Sequence, residues 1–272
     1  GGTAPNIDYT IALLGEHPRL MGTVGEDFDE YRRWLDSRGI DTSLVRVIEG
    51  KYTASFFANT DLSNAQIASF YTGAMADAGN LSMNETGPEL PELAVISPND
   101  PGAMVKYALE CQGLNIPYVF DPSQQVVRMS GEDLRTGTLG AFSLFLNEYE
   151  YELLQKHTGL SEQDILNHVR FMVVTLAEKG ARVFADGEQY QVPPAAPIQI
   201  VEPTGVGDAF RGGFLRGFLL GFDWQTCGQM GALAATYCLE QRGPQSHNYT
   251  RAEFVARYRT MFDDQGRLDA LL

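Results

Sequence analysis

The stretch Thr204-Gly205-Val206-Gly207-Asp208 combines a loop that could bind an anion with a carboxylate that could accept a proton. Gly205 and Gly207 have no side chains, so the backbone N–H groups of this loop can closely approach a negatively charged group. A helical pattern begins at Asp208, and the N-terminal end of a helix attracts anions through its dipole and its free amides. The stretch therefore indicates an anion site. The alternative is that Asp208 only stabilises the first helical turn.

Two further stretches place polar groups directly after predicted strands. Asn147 and Glu150 lie where a strand passes into a helix, and the carboxyl ends of strands are where open α/β sheets bind ligands. An amide and a carboxylate could hold a hydrated Mg²⁺, which prefers oxygen ligands; helix capping is the alternative interpretation. The turn from Thr175 to Gly180 also follows a strand and is rich in backbone donors, although it could be an ordinary turn.

A third candidate is the aromatic segment from Lys51 to Tyr71, which reads as two short strands joined by a polar turn. It includes Phe56, Phe57 and Phe70. An inserted strand pair of this kind often forms a lid over a site, and its rings could then enclose a flat ligand. Equally, one apolar face of the pair could pack on the core.

The elements that must position these groups follow a regular order of strand and helix patterns. Such alternation predicts an α/β fold with a mainly parallel sheet flanked by helices. Strands are predicted near residues 93–97, 116–120, 141–146 and through 175, and helices at about 208–220, 225–240 and 250–263. Asp100 or Asn99 should cap a helix that starts at Pro101, and Asp186-Gly187 suits a tight hairpin turn.

The composition limits the class of partner. The chain has 272 residues and a net charge of −15, which disfavours nucleic acid and anionic membranes as binding partners. Cys111, Cys227 and Cys238 lie far apart without metal-ligand spacing, as expected for reduced thiols in a cytoplasmic protein. No apolar run approaches the roughly 20 residues of a membrane span.

The motifs "PTGVGDAF", "NEYE", "VVTLAEKG" and "GGTAPN", in their order and spacing, resemble those of the ribokinase (PfkB) family of carbohydrate and nucleoside kinases. The stretches "VGEDFDEYRRWLDSRGI", "AQIASFYTGAM" and "DPSQQ" are similar to the bacterial, mycobacterial-type adenosine kinases of that family. The likeness extends from Gly1 to at least Gly243. It implies a ribokinase-like three-layer fold, with a kinase domain at 1–50 and 73–272 and part of a β lid at 51–72.

The resemblance also implies roles for the glycine loop. Asp208 would be the base that takes a proton from the 5′-hydroxyl of adenosine as this oxygen attacks the γ-phosphorus of ATP, giving AMP. Gly205, Val206 and Gly207 would form the anion hole. The helix dipole is expected to keep Asp208 ionised and weakly basic, which suffices because phosphoryl transfer depends mostly on positioning and charge stabilisation.

Binding residues follow from the same resemblance. The acceptor nucleoside would be held by Gly1, Gly2, Asn6, Phe56, Phe70 and Asp208. ATP would be bound by Asn147, Thr175, Ala177, Gly180, Thr204, Gly205 and Gly207. Mg²⁺ would be held through water by Glu150 and Asn147.

Some features of the family are absent or altered. Ala177 stands where the family's nucleotide turn has glycine, which could require a left-handed backbone. The family's first strand and early lid strands precede the glycine pair, so this sequence is expected to be a shortened part of a longer protein; if the absence is real, the sheet lacks a central strand. A sugar kinase, another nucleoside kinase, and a non-catalytic binding protein or fragment remain alternatives. Activation by K⁺ and a homodimer stay open.

Overall fold

The computed structural model describes residues 1–60 and 66–272, and the side chains of residues 58–68 are not considered. Its main sheet has six strands in the order β10-β9-β8-β7-β6-β5. The strands are β5 (Ala94–Ile96), β6 (Tyr118–Phe120), β7 (Ser143–Asn147), β8 (Phe171–Thr175), β9 (Ala181–Ala185) and β10 (Glu188–Val192). β5 to β8 run parallel to one another. β9 runs antiparallel to β8, and β10 runs antiparallel to β9. The predicted α/β fold with a mainly parallel sheet is confirmed.

Helices cover both faces of this sheet. The helices are α1 (Thr3–Leu13), α2 (Asp29–Ser37), α3 (Pro101–Leu114), α4 (Gly131–Leu139), α5 (Glu148–Thr158), α6 (Glu162–Leu166), α7 (Val206–Leu219), α8 (Trp224–Leu239) and α9 (Arg251–Arg259). Of these, α2 does not cover the main sheet, because Leu35 of this helix packs in a separate core with Leu20 and Val45. Successive side chains of a strand point to opposite faces of the sheet, so they belong to two separate hydrophobic cores. Phe171 and Val173 of β8 join the core with α1, α7 and α8, while Met172 and Val174 join the core with α3 to α5. The three-layer arrangement follows.

Two pairs of strands lie outside the main sheet. β1 (Arg19–Val24) pairs in parallel with β2 (Asp41–Val47), and β3 (Ser55–Thr60) pairs antiparallel with β4 (Gln66–Tyr71). The β3–β4 pair matches the segment predicted as part of the lid; residues 61–65 of that prediction lie outside the described residues.

A groove of about 580 Å³ lies between β5, at one edge of the main sheet, and β1. One face of α1, with Ile7, Asp8 and Ile11, also lines it. Oδ2 of Asp8 is buried and has no hydrogen-bond partner among the described residues, and burial raises the pKa of this carboxyl to about 7.

Local sequence signals placed several element ends correctly. Asp100, rather than Asn99, caps α3: its side chain accepts a hydrogen bond from the amide of Ala103 at 3.0 Å, and Pro101 begins the helix. Asp186 and Gly187 have φ of 55° and 78° and join β9 to β10, as a two-residue hairpin turn requires. Strand ends differ by up to two residues from those predicted, mainly because strand pairing begins after the start of the apolar run.

The three cysteines are buried and free, as predicted. None of the helices in the described parts of the chain has the length and apolar character of a membrane span.

Candidate active site

The glycine loop forms the start of α7. Gly205 is the residue before the helix and has φ of 82° and ψ of 0°, a left-handed conformation that favours glycine. A Cβ on Gly205 would lie 2.3 Å from Cβ of Pro244, so the loop also requires glycine for space. The amide of Val206 makes a 3.3 Å hydrogen bond to the carbonyl of Pro203. Within the described chain, the amides of Gly207 and Asp208 have no acceptor. They are therefore available to a ligand.

Asp208 lies in the first turn of α7 and meets Asn6, which lies in α1. The side-chain amide of Asn6 donates to Oδ2 of Asp208 at 2.7 Å, although 202 positions separate the two residues along the chain. Gly212 makes this meeting possible, because a Cβ there would lie 2.6 Å from Cβ of Thr10 and 2.8 Å from the carbonyl of Ile7. The close crossing of α1 and α7 thus brings two predicted site residues together.

Burial changes the protonation of Asp208 in a way that the sequence did not indicate. Desolvation raises the pKa of this carboxyl, while the Arg211 guanidinium and the hydrogen bond from Asn6 act in the opposite direction. The expectation of a weakly basic carboxylate considered only the helix dipole. Because burial raises the pKa of its carboxyl, Asp208 is a stronger base than the helix dipole alone would make it.

Arg211 forms an ion pair with Asp121 beside the loop, and the sequence did not predict this pairing. Asp121 follows β6 directly and is fully buried, and its carboxylate faces Arg211. Nε of Arg211 lies 2.7 Å from Oδ2 of Asp121, and Nη2 donates to Oδ1 at 2.7 Å. The available signal was the position of Asp121 at the carboxyl end of a parallel strand, followed by proline.

Asn147 and Glu150 form a reciprocal cap at the start of α5. Oδ1 of Asn147 accepts from the amide of Glu150, and Oε2 of Glu150 accepts from the amide of Asn147, both at 2.8 Å. The capping interpretation therefore holds for these side chains. Glu150 is nonetheless buried and close enough to act electrostatically on Asp208 and Arg211.

Among the side chains that the structure describes, Asn147 and Glu150 do not belong to a set that could coordinate a metal ion directly. Across residues 1–60 and 66–272, no group of three or more His, Cys, Asp and Glu side chains could hold a metal ion. Oε1 of Glu150 is the carboxylate oxygen that the cap does not use; its contact with Oγ of Ser123 is long, at 3.4 Å. One such oxygen fits a contact to metal-bound water better than direct coordination by a set of protein ligands.

The turn after β8 has the geometry expected of a constrained backbone. Ala177 has φ of 52°. The alanine therefore has the left-handed backbone that was expected because the family has glycine at this position. Gly180 has φ of 89°, and a Cβ there would lie 2.1 Å from the carbonyl of Val192. Thr175 ends β8, in register with Asn147 at the end of β7. The predicted nucleotide-binding residues Asn147 and Thr175 thus lie side by side at the carboxyl ends of two neighbouring parallel strands.

The aromatic residues of the β3–β4 pair face solvent. Phe56 and Phe70 are directly paired across the two strands and are 63% and 41% exposed; Phe57 and Tyr71 are 56% and 47% exposed. These four rings do not pack on the core, as the alternative interpretation would require. Because successive strand residues point to opposite faces, Phe56 and Phe70 lie on one face of the pair and Phe57 and Tyr71 on the other. The two rings of one face could cover a flat ligand.

The sequence matches the family described as "pfkB family carbohydrate kinase" over residues 1–251. It is 30% identical to the nucleoside kinase of Methanocaldococcus jannaschii over 259 residues, which is 94% of this chain and 84% of that protein. It is 28% identical to the cytidine kinase of Thermococcus kodakarensis over 253 residues, 89% of this chain and 88% of that one.

The structure is also similar to experimentally solved proteins. The nucleoside kinase of Burkholderia thailandensis in complex with inosine superimposes with a TM-score of 0.91 at 36% identity, covering 96% of this chain and 86% of the other. The same protein has been solved with ADP-inosine. The solved nucleoside kinase of M. jannaschii gives a TM-score of 0.90 at 30% identity, over 96% of this chain and 86% of its own.

Proposed function

The chain belongs to the pfkB family of carbohydrate kinases, and from this premise we propose that it transfers the γ-phosphoryl group of ATP to the 5′-hydroxyl of a purine nucleoside, with adenosine as the acceptor that gives AMP. The observation that carries the proposal is the contact between Asn6 and Asp208 beside the free amides at the start of α7. A hydroxyl placed between the carboxylate and those amides would have a base on one side and an anion site on the other.

In this proposal Asp208 accepts the proton of the nucleoside hydroxyl. Its raised pKa strengthens it as a base. Asn6 donates a hydrogen bond that holds the carboxylate in place and favours its charged form. The amides of Gly207 and Asp208, with the rest of the Gly205–Gly207 loop, stabilise the charge of the transferring phosphoryl group.

The remaining binding residues have supporting roles. Gly1 and Gly2 lead into α1 and so towards Asn6, and would approach the sugar. The turn containing Ala177 and Gly180, together with Thr175, Asn147 and Thr204, would bind ATP. Mg²⁺ bound to the nucleotide would neutralise phosphate charge, and Glu150 would contact its water through Oε1.

The exposed rings support a nucleoside rather than a free sugar as the acceptor. Phe56 and Phe70 expose flat apolar surface. Such rings can stack on the flat base of a nucleoside, whereas a free sugar has no ring system to stack on. A similar protein has been solved with inosine, so inosine is the strongest competing purine acceptor. Cytidine is a weaker candidate, because the protein named for it is 28% identical.

An acceptor panel tests the proposal. ADP release would be measured with adenosine, inosine, guanosine, cytidine, ribose and fructose at matched concentrations. We expect the highest kcat/KM with adenosine. In the Phe56→Ala/Phe70→Ala double variant we expect kcat/KM for adenosine to fall at least tenfold, because stacking contributes about 0.5–1.5 kcal/mol per ring beyond area burial.

Two outcomes would contradict the proposal that the protein is an adenosine kinase. A higher kcat/KM for inosine or a sugar would replace adenosine as the acceptor while keeping the kinase chemistry. Nucleoside binding in calorimetry without turnover of any acceptor would favour the non-catalytic alternative. Val127, which is also an exposed apolar residue outside the lid, provides the control: Val127→Ala should leave every acceptor's kcat/KM unchanged.

A further inference from the structure

The Arg211 guanidinium lies against the anion-binding loop. Arg211 is one helical turn after Gly207 in α7 and is 6% exposed. A Cβ on Gly207 would lie only 2.9 Å from Nη1 of Arg211, so this nitrogen lies directly beside the backbone whose amide is free. A positive group thus accompanies the loop that has the character of an anion site.

Asp121 holds the guanidinium in a fixed orientation. Nη2 of Arg211 donates a hydrogen bond to Oδ1 of Asp121 at 2.7 Å. Nε lies 2.7 Å from Oδ2 as a close ion-pair contact, but these two atoms do not form a hydrogen bond. The pairing leaves Nη1 outside the ion pair. No acceptor for Nη1 occurs among the described residues. Nε also lacks a hydrogen-bond partner, but Nη1 is the nitrogen that lies beside Gly207.

The charge around this arginine is unusual for a buried pair. Besides Asp121, the carboxylates of Asp208 and Glu150 also act electrostatically on Arg211. A buried ion pair is costly to desolvate and is weak evidence for stability alone. Negative charge alone would repel a polyphosphate, whereas a rigid cation beside the free amides would attract its terminal group.

We propose that Arg211 is a further catalytic residue that donates a hydrogen bond from Nη1 to the terminal phosphoryl group during its transfer, and that Asp121 is the positioning residue that holds it there. This inference depends on the proposed kinase function. It assigns a cationic side chain to an anion site that otherwise consists of backbone amides.

The first experiment separates the γ-phosphoryl group from the rest of the nucleotide. Calorimetry would measure the Kd of ADP and of the non-hydrolysable analogue β,γ-imido-ATP for the unaltered protein, Arg211→Lys and Arg211→Met. We expect at least a tenfold weakening for the analogue in Arg211→Met, because a charged hydrogen bond is lost, and less than a threefold change for ADP. Equal losses for both nucleotides would overturn the inference.

Kinetics supply the second readout. Removing one donor from an oxyanion site typically lowers kcat about 10²–10³-fold, and we expect a loss of this size in Arg211→Met with an unchanged KM for the nucleoside. Asp121→Asn should give a smaller fall in kcat, because the guanidinium remains but is held less firmly. An unchanged kcat in Arg211→Met would reject the role.

Folding defects are separated from catalytic ones by rescue and by a matched control. Arg211→Ala, checked for native circular dichroism, should regain kcat in millimolar guanidinium chloride; no recovery in the folded variant would count against a direct phosphoryl contact. Arg257 forms another largely buried pair with Glu240, at 2.6 Å, outside the site. Arg257→Gln should lower the free energy of unfolding while leaving kcat and both nucleotide affinities unchanged.

The inference and the proposed function fail differently. If the unaltered protein transfers phosphate to no acceptor, the proposed function is wrong and the arginine has no phosphoryl group to contact. If it does turn over while Arg211→Met binds ADP and the analogue with the same relative loss, only the inference is wrong.

Discussion

Asp208 experiences opposing electrostatic influences at the scale of a single residue. Burial raises the pKa of its carboxyl, whereas Arg211 and Asn6 favour the charged form. A carboxylate beside an anion site is explained if a neutral hydroxyl lies between the two. The charge then acts on the proton of the hydroxyl, while the amides at the start of α7 act on the phosphoryl group.

Replacement of this carboxylate provides the test at the residue scale. Asp208→Asn keeps the shape of the side chain but removes its ability to accept a proton. We expect kcat to fall about 10²–10⁴-fold, the usual contribution of a general base, with less than a threefold change in the Kd of adenosine. Steady-state kinetics and calorimetry would measure the two quantities.

Asp29 offers the matched control, because it is also an acidic residue in the first turn of a helix and is exposed. Asp29→Asn should retain full turnover. A kcat for Asp208→Asn within tenfold of the unaltered enzyme would remove Asp208 from the role of base.

At the scale of elements, the crossing of α1 and α7 determines the site. Gly212 contacts α1 through Thr10 and Ile7, while Gly213 contacts α8, where a Cβ would lie 2.6 Å from the carbonyl of Met230. Two adjacent glycines therefore let α7 pack closely against two helices.

Gly212→Ala tests whether this crossing positions the catalytic groups. The added methyl would overlap Thr10 at 2.6 Å, so we expect α1 to move and the free energy of unfolding to fall by about 1–3 kcal/mol. Displacement of Asn6 from Asp208 should also lower kcat. Urea unfolding and steady-state kinetics would measure both effects.

A matched substitution lies in α3. Gly113 is exposed and has nothing within 4 Å of its Cβ position, so Gly113→Ala should raise the free energy of unfolding by about 0.5–1 kcal/mol through helix propensity. If Gly212→Ala behaved like Gly113→Ala, the close crossing would not be required.

At the scale of the whole molecule, buried ionisable groups couple stability to pH. His247 is 1% exposed, and neither ring nitrogen has a hydrogen-bond partner among the described residues. Burial lowers the pKa of this imidazole from 6.5 to about 4. Burial acts oppositely on Asp8 and Asp121, whose pKa values rise to about 7.

The sign for His247 follows from proton binding. Below pH 6.5 the unfolded chain binds a proton that the folded chain takes up only near pH 4, so this residue's contribution is complete above pH 6.5 and is lost as pH falls towards 4. The buried aspartates oppose the trend, because the folded chain binds their protons first.

A variant isolates the histidine from these opposing groups. The difference in unfolding free energy between the unaltered protein and His247→Phe should decrease by up to about 3 kcal/mol between pH 7 and pH 4, at about 1.4 kcal/mol per pKa unit. Urea unfolding across this range gives the measurement. Parallel pH curves for the two proteins would mean that His247 does not titrate differently on folding.

Much of the fold was determined by local sequence. Strand and helix periodicities predicted the α/β class, and residues such as Asp100, Pro101 and the Asp186-Gly187 turn marked element ends, because caps and turns depend on near neighbours. The glycine loop and its aspartate were equally visible, since backbone freedom and a helix start are local properties.

Only the tertiary structure decided which groups meet and how strongly they are desolvated. The contact of Asn6 with Asp208 and the pairing of Arg211 with Asp121 join residues 202 and 90 positions apart, and no local pattern specifies such pairs. The raised pKa of Asp208 likewise depends on enclosure by distant segments. Sequence thus supplied the chemical groups, whereas packing set their distances and their protonation, because both depend on the whole surrounding structure.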